Sequence, residues 1–325
     1  MLIKNKGVYL YYEIKQMKAF KSILEFQKEF STEEKCREFL EQQRWNGTPA
    51  CPYCGSINVH RFVNNPNKFG CKEKECRLNF SVTVGTIYEN TKLPLTKWFL
   101  ATYILSVHSK GISSLQLANW LGITQKSAWH LNHRIRQMLT NNAPEQLENI
   151  VEVDETYIGG KESNKHASKR TTRGGGVGKK AMVFGAIERQ GKVRTKVIPA
   201  TNIEHITDAV KDFIAPQSTM VSDEHHAYNR VKDLYNHKKV NHSTKEYVRK
   251  EETILVHTNS IEGYWNILKK QINGIHHFVS PKHLQRYCDE SAFRFNNRKD
   301  AQDERFDTAF KGIEGTLKYK ALVHG

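Results

Sequence analysis

The sequence predicts an α/β protein in which a C-terminal sheet flanked by helices follows a small cysteine-bearing β unit and a helical block. Three observations carry this. Four of the six cysteines crowd into residues 51–76. Apolar residues recur at helical spacing through residues 94–141, and from Ile150 the pattern switches to strand-like runs. A chain of 325 residues is too long for one ordinary core. Lys and Arg number 50 against 34 Asp and Glu, and the net charge of +16 points to polyanionic partners, nucleic acid first. At 38% hydrophobic and 10% aromatic residues, the composition excludes a disordered basic tail. The longest apolar stretch, Trp98–Val107, is broken by Thr102, Tyr103 and Ser106, so no membrane span is expected. The start, Met1-Leu-Ile-Lys-Asn-Lys, has no long apolar region and no small-residue cleavage site, so secretion is not expected, nor is a disulfide framework from the six cysteines. The expected compartment is the cytoplasm, in association with the nucleoid.

Residues 1–45 read as a lysine-rich extension followed by a helix, with residues 1–16 expected to be dispensable. Ser31 or Thr32 caps that helix ahead of Glu34, and Cys36, Phe39 and Leu40 form its apolar face. Residues 46–90 hold Cys51-Pro-Tyr-Cys54-Gly and Cys71-Lys-Glu-Lys-Glu-Cys76. Two close cysteine pairs across a short β-like segment supply four thiolates for tetrahedral Zn²⁺, with Pro52 and Gly55 suited to the tight turn. Cys36 and Cys288 stand alone in apolar helical contexts and are expected in cores.

Within 91–145, the run from Gly111 to Arg136 has the pattern of a helix-turn-helix: Ser113–Leu121, a turn at Gly122, and a second helix capped by Thr124. Gln125, Lys126, Ser127 and His130 would face the groove, with Arg134 and Arg136 on phosphates. The plainer alternative is a helical hairpin with Trp120, Trp129 and Leu131 in its core.

Within 146–325, strands are expected at Ile150–Tyr157, Ala181–Glu188, Lys192–Pro199 and Thr219–Ser222, a helix at Ile203–Ile214, and a helical block from Ser260 onward. Lys161–Lys180 carries Gly174-Gly-Gly and seven Lys/Arg against one acid, Glu162, and is expected to order on DNA. Two strands end on aspartates, Asp154 and Asp223. Beyond them an apolar helical stripe of Ile261, Tyr264, Trp265, Leu268 and Ile272 carries Glu262, with Lys269 about two turns further on the same helix. Converging acids of this kind can hold Mg²⁺, and two such ions activate an entering oxygen and stabilise a leaving one at a phosphate. Each acid also has a structural alternative: Asp154 and Asp223 as turn residues, and Glu262 as the partner of Asn259 in a capping box.

In order along the chain, Cys51-Pro-Tyr-Cys54 with Cys71 and Cys76, Gly85-Thr-Ile, Gly111-Ile-Ser-Ser-Leu-Gln-Leu-Ala, Val153-Asp154-Glu-Thr-Tyr-Ile-Gly-Gly160-Lys, Ser222-Asp223-Glu-His-His-Ala-Tyr228, His257-Thr-Asn-Ser-Ile-Glu262-Gly-Tyr-Trp and Phe293-Arg-Phe-Asn-Asn-Arg298 resemble the bacterial insertion-sequence transposases of the ISXO type. The resemblance covers most of residues 30–300. It implies a zinc ribbon ahead of a DDE catalytic domain of the ribonuclease-H-like fold. It further implies Asp154, Asp223 and Glu262 as ligands of Mg²⁺ or Mn²⁺, with Asn259 the alternative third member, and Lys269 on DNA. The implied partners are the element's terminal inverted repeats and target DNA, bound by a homo-oligomer. The implied reaction is 3′-end cleavage followed by strand transfer. The competing reading is a non-catalytic zinc-ribbon DNA-binding regulator derived from such an element.

Overall fold

The computed structural model describes residues 19–140, 145–160, 166, 168, 180–199, 203–224, 226–231, 234–240, 248–251 and 254–324. The expectations for residues 1–16 and for nearly all of 161–180 therefore lie outside the described residues.

Helices α1 (Ile23–Glu29) and α2 (Glu33–Trp45) open the chain, with Thr32 Oγ1 accepting the Lys35 amide at the start of α2. A three-stranded antiparallel sheet follows: β1 (Val59–Phe62), β2 (Asn65–Cys71) and β3 (Asn79–Phe80). Its small core stacks Phe69 on Phe80 beneath Trp45. Next come α3 (Leu95–Val107), α4 (Ser114–Leu121) and α5 (Gln125–Thr140). Ser113 caps α4, Gly122 ends it in the left-handed region at φ +58°, and Thr124 Oγ1 takes the Ser127 amide as α5 begins. Gly122 suits this corner because a side chain there would be strained.

The main sheet comprises β4 (Ile150–Ile158), β5 (Ala181–Glu188), β6 (Val193–Ile198), β7 (Thr219–Ser222) and β8 (Asn236–Lys239), with α6 (Ile203–Phe213) between β6 and β7. Across the sheet the order is β6-β5-β4-β7-β8. β5 runs antiparallel to both of its neighbours, β4 and β6, while β7 and β8 run parallel to β4. This is the ribonuclease-H-like arrangement. A small hairpin, β9 (Arg249–Glu251) and β10 (Ile254–Val256), leads into α7 (Asn259–Gln271). A π-helical turn (Ile272–His276), α8 (Pro281–Asn296), α9 (Gln302–Phe310) and α10 (Tyr319–His324) complete the described chain.

Alternation along β4 divides the two faces of the sheet. Val151 and Val153 pack with Phe184, Ile206, Val210 and Phe213 under α6, whereas Ile158, Val183 and Ile187 pack with Ile261, Trp265, Leu268 and Leu284 under α7 and α8. β5 is covered on both sides, which accounts for its nearly unbroken apolar run. A separate helical core joins Phe20, Phe26 and Phe30 to α3, α4 and α5, and also receives Phe306 and Phe310 of α9. Thus α9 follows the main sheet in sequence but packs with the helices that precede that sheet. Cys36 and Cys288 are both buried.

Candidate active site

β4 and β7 are parallel neighbours with Ile150 beside Thr219 and Glu152 beside Val221. The same offset carried two residues further sets Asp223, just past the end of β7, beside Asp154. Both are half-buried. On the other strand flanking β4, Asp154 faces Gly185, and a Cβ there would lie 2.4 Å from Trp265 Cη2. The missing side chain lets α7 settle onto the sheet, and the Trp265 indole N–H donates to Asp154 Oδ2 at 2.9 Å. Ile261, Tyr264, Trp265 and Leu268 form the buried stripe of α7, while Glu262 and Lys269 stay exposed. Glu262 Oε1 accepts the Thr258 hydroxyl at 3.0 Å.

Burial raises the Asp154 carboxyl to about 6; the Glu155 amide and the Trp265 indole pull it down, and the Asp223 and Glu262 carboxylates push it up. Asp223 and Glu262 are therefore both within electrostatic reach of Asp154. A fourth acid adjoins them. Glu155 is raised to about 7 by burial, against the Tyr228 hydroxyl that donates to its Oε1 at 2.5 Å and with Asp154 and Asp223 repelling its charge.

A fifth carboxylate lies deeper. Glu152, fully buried two residues before Asp154, takes the backbone amides of Ser260 (2.8 Å) and Ile261 (3.2 Å), the Ser260 hydroxyl (3.0 Å) and Arg189 Nε (3.0 Å). Neither Glu152 nor Glu155 is singled out by the sequence, where acids are common around Asp154. The only signal was a charged residue on an otherwise buried strand, which demands partners. The capping box read at Asn259 is corrected by the same contacts. Asn259 is the exposed first residue of α7, and the orphan amides of that turn go to Glu152, while Glu262 bonds Thr258.

The cysteine cluster is compact. Cys51 Sγ lies 3.8 Å from Cys76 Sγ, Cys54 Sγ lies 3.6 Å from Cys71 Sγ, and all four sulfurs fall within 4.8 Å of one another. Tetrahedral Zn–S bonds of about 2.3 Å require sulfurs roughly 3.8 Å apart, so the donor set fits zinc. Gly55, at φ +75°, makes the turn between the first pair and the strands. Among the described residues no other group of three or more potential ligands draws its donor atoms so close.

At the start of α5, Gln125 and Lys126 are exposed, with Lys126 Nζ 4.9 Å from the Tyr319 ring; His130 is half-buried against the Leu317 carbonyl. The assignment of Arg134 and Arg136 to phosphates is corrected. Both are buried, because α3 and α8 enclose the later turns of α5. Arg134 donates to the Glu89 carbonyl at 2.7 Å, above Trp98. Arg136 pairs with the fully buried Glu290 at 2.6 Å, and Arg294 binds the other oxygen of the same carboxylate. Burial works against that charge, but Arg294 and Arg136 hold the Glu290 carboxyl down at about 2.

Comparison with known proteins gives this arrangement a family. Residues 146–296 match the ISXO2-like transposase domain, and residues 31–79 match the transposase zinc-ribbon domain. Across these two stretches the chain matches the insertion-sequence transposases. It is 28% identical over 274 residues to an uncharacterized protein in transposable element ISH50 of Halobacterium salinarum, a match covering 80% of this chain and 90% of that protein. Among solved structures it resembles the Mos1 strand transfer complex at 14% identity and TM-score 0.22, over 62% of this chain and 75% of that one. The Mos1 transposase paired-end complex with left transposon end matches at 12% identity and TM-score 0.19, with the same coverage. A DDE transposase domain belongs in general to metal-dependent DNA phosphoryl transfer. Among the described residues, no helix of this transposase is long and apolar enough to cross a membrane.

Proposed function

We propose that this transposase binds the terminal inverted repeats of its element, hydrolyses the phosphodiester at each end to free a 3′-hydroxyl, and directs that hydroxyl onto a target phosphate. Asp154, Asp223 and Glu262 are the acidic triad, and Lys269 binds DNA phosphate beside it. The observation that carries this reading is the parallel register of β4 and β7, which sets Asp223 beside Asp154 under the helix that bears Glu262. Carboxylate oxygens suit Mg²⁺ or Mn²⁺, and a carboxyl raised by burial and like charge is one that a cation would relieve. Such ions, when bound, activate the entering oxygen and stabilise the departing one. Trp265 orients Asp154, and the apolar stripe of α7 keeps water from the sheet side of the site.

The four cysteines hold Zn²⁺, and Gln125 and Lys126 meet the inverted repeat from the first turn of α5. The chain divides into an extension (1–45), ribbon (46–90), helical DNA-binding unit (91–145) and catalytic unit (146–325), with α9 seated in the helical core. Work on the two ends of one element calls for more than one copy on DNA, in the cytoplasm with the nucleoid.

The test is cleavage and strand transfer by the full chain on DNA carrying the element's ends, with Mg²⁺ or Mn²⁺ and at matched DNA occupancy. Asp154→Asn, Asp223→Asn and Glu262→Gln should each abolish both steps while binding persists. Wild-type activity in any one removes that acid from the triad. An active Glu262→Gln beside a folded, inactive Asn259→Ala would give the third place to Asn259. A folded wild type that binds the ends and never cuts them would fit the regulator instead.

A further inference from the structure

We infer that Glu152 is a positioning residue: from the centre of the sheet it fixes the first turn of α7, and through that turn the place of Glu262 opposite Asp154. The inference rests on the triad reading above.

A helix leaves its first amides without partners, and the usual remedy is a Ser, Thr, Asp or Asn at its own N-cap. α7 departs from this. Its N-cap is Thr258, which makes no side-chain cap bond and gives its hydroxyl to Glu262 instead. The cap comes from β4. Glu152 Oε2 accepts the Ser260 and Ile261 amides, and Oε1 accepts the Ser260 hydroxyl and Arg189 Nε. Arg189 also binds the Leu255 carbonyl at 2.6 Å and the His257 carbonyl at 3.3 Å, which ties the strand leading into α7 to the same carboxylate. His257 Nδ1 stands 3.3 Å from Oε1. The negative charge is therefore matched by Arg189 and by the positive end of the helix.

A cap supplied by a neighbouring residue holds a helix end together; a cap supplied by another strand also fixes where that end lies. Glu152 and Asp154 sit on one face of β4, and each holds α7 at a different turn: Glu152 at Ser260 and Ile261, Asp154 at Trp265. Glu262 falls between these two anchors. Losing the first anchor frees the turn that carries Glu262 while Trp265 and the apolar stripe still hold the rest of the helix. Residues that orient ligands in this way typically change metal affinity by about 10–100-fold when altered.

The test measures Mn²⁺ affinity by titration calorimetry on the full, zinc-loaded chain. Glu152→Gln keeps the shape and one acceptor oxygen but removes the charge; Ser260→Ala removes a single donor and is the milder variant if Glu152→Gln does not fold. The expected result is a cooperatively folded Glu152→Gln that keeps its zinc and binds Mn²⁺ about tenfold more weakly. Ser260→Ala should shift affinity in the same direction by less. Wild-type Mn²⁺ affinity in every folded variant, even with lowered melting temperatures, overturns the proposal, since a purely structural cap would change stability alone. Glu262→Gln in the same titration separates the two ideas. If it binds Mn²⁺ as tightly as wild type, the triad reading fails; if it loses binding while Glu152→Gln does not, only the positioning role fails.

Discussion

The two candidate metal sites are built on opposite plans. In the ribbon, four cysteines from one short stretch bring their sulfurs to within 4.8 Å of one another, because thiols carry no charge until a cation draws it out. In the sheet, the acids come from β4, the end of β7 and α7, and charge keeps them further apart. One site depends on local turns and the other on the relative placement of distant elements. It follows that the ribbon's fold should depend on its metal, while the sheet's fold should stand without one and even gain from losing an acid.

The sharpest way to break this comparison is to strip the zinc. Chelation should unfold the ribbon, a loss on the order of 10 kcal/mol of local folding energy, while the cores around β4 and β5 survive. Hydrogen exchange followed along the chain would report it. Protection lost equally from both regions would count against the contrast.

Asp154→Asn should do the reverse, ending phosphoryl transfer while stabilising the metal-free protein. The Asp154 carboxyl is raised in the folded state to about 6 and Glu155 to about 7, so the native form holds protons that the unfolded form has released. Stability in the absence of divalent metal should therefore fall as pH rises from about 4 to 7 and level off above. Replacing Asp154 should recover about 1–3 kcal/mol at pH 8, measured by urea unfolding in chelator. A destabilised Asp154→Asn would mean that the carboxylate is well compensated.

Gly185→Ala tests placement alone, since its new methyl would meet Trp265 and Ile261. We expect a cost of about 1–3 kcal/mol and displacement of the indole from Asp154, visible in tryptophan fluorescence. The smallest effect concerns caps. Thr124→Ala should cost about 1 kcal/mol, whereas Asn259→Ala, at an exposed position whose helix is capped from β4, should cost under about 0.5 kcal/mol by the same melts.

What the sequence made legible follows the same division. The cysteine spacing, the alternation in β4, the apolar run of β5, the α6 stripe and the turn from Ser113 to Thr124 are local signals, and the structure reproduces them within a residue or two. Long-range partners were not legible. Glu152 looked like an ordinary strand acid because Arg189, Ser260 and Ile261 are far along the chain. Arg134 and Arg136 looked like phosphate contacts because nothing nearby marks the Glu89 carbonyl as the partner of the first or Glu290 as the answering charge of the second. Strands β8 and β9 are short and polar, and β10 is only three residues long, so none shows a period that sets it apart from a loop. The seating of α9 among Phe20, Phe26, Phe30 and Phe99 joins segments nearly the whole chain apart.

That seating has a genetic consequence. Phe306 and Phe310 complete the core that supports α3, α4 and α5, so a message cut short after Asn296 yields a chain whose front half lacks part of its interior. On the proposed reading, a damaged copy of the element with such a lesion should not supply a sound DNA-binding fragment to compete for the ends of intact copies. Repression by truncated product, a hazard for any mobile gene whose binding unit folds alone, should then be closed off by a helix that lies beyond the proposed triad.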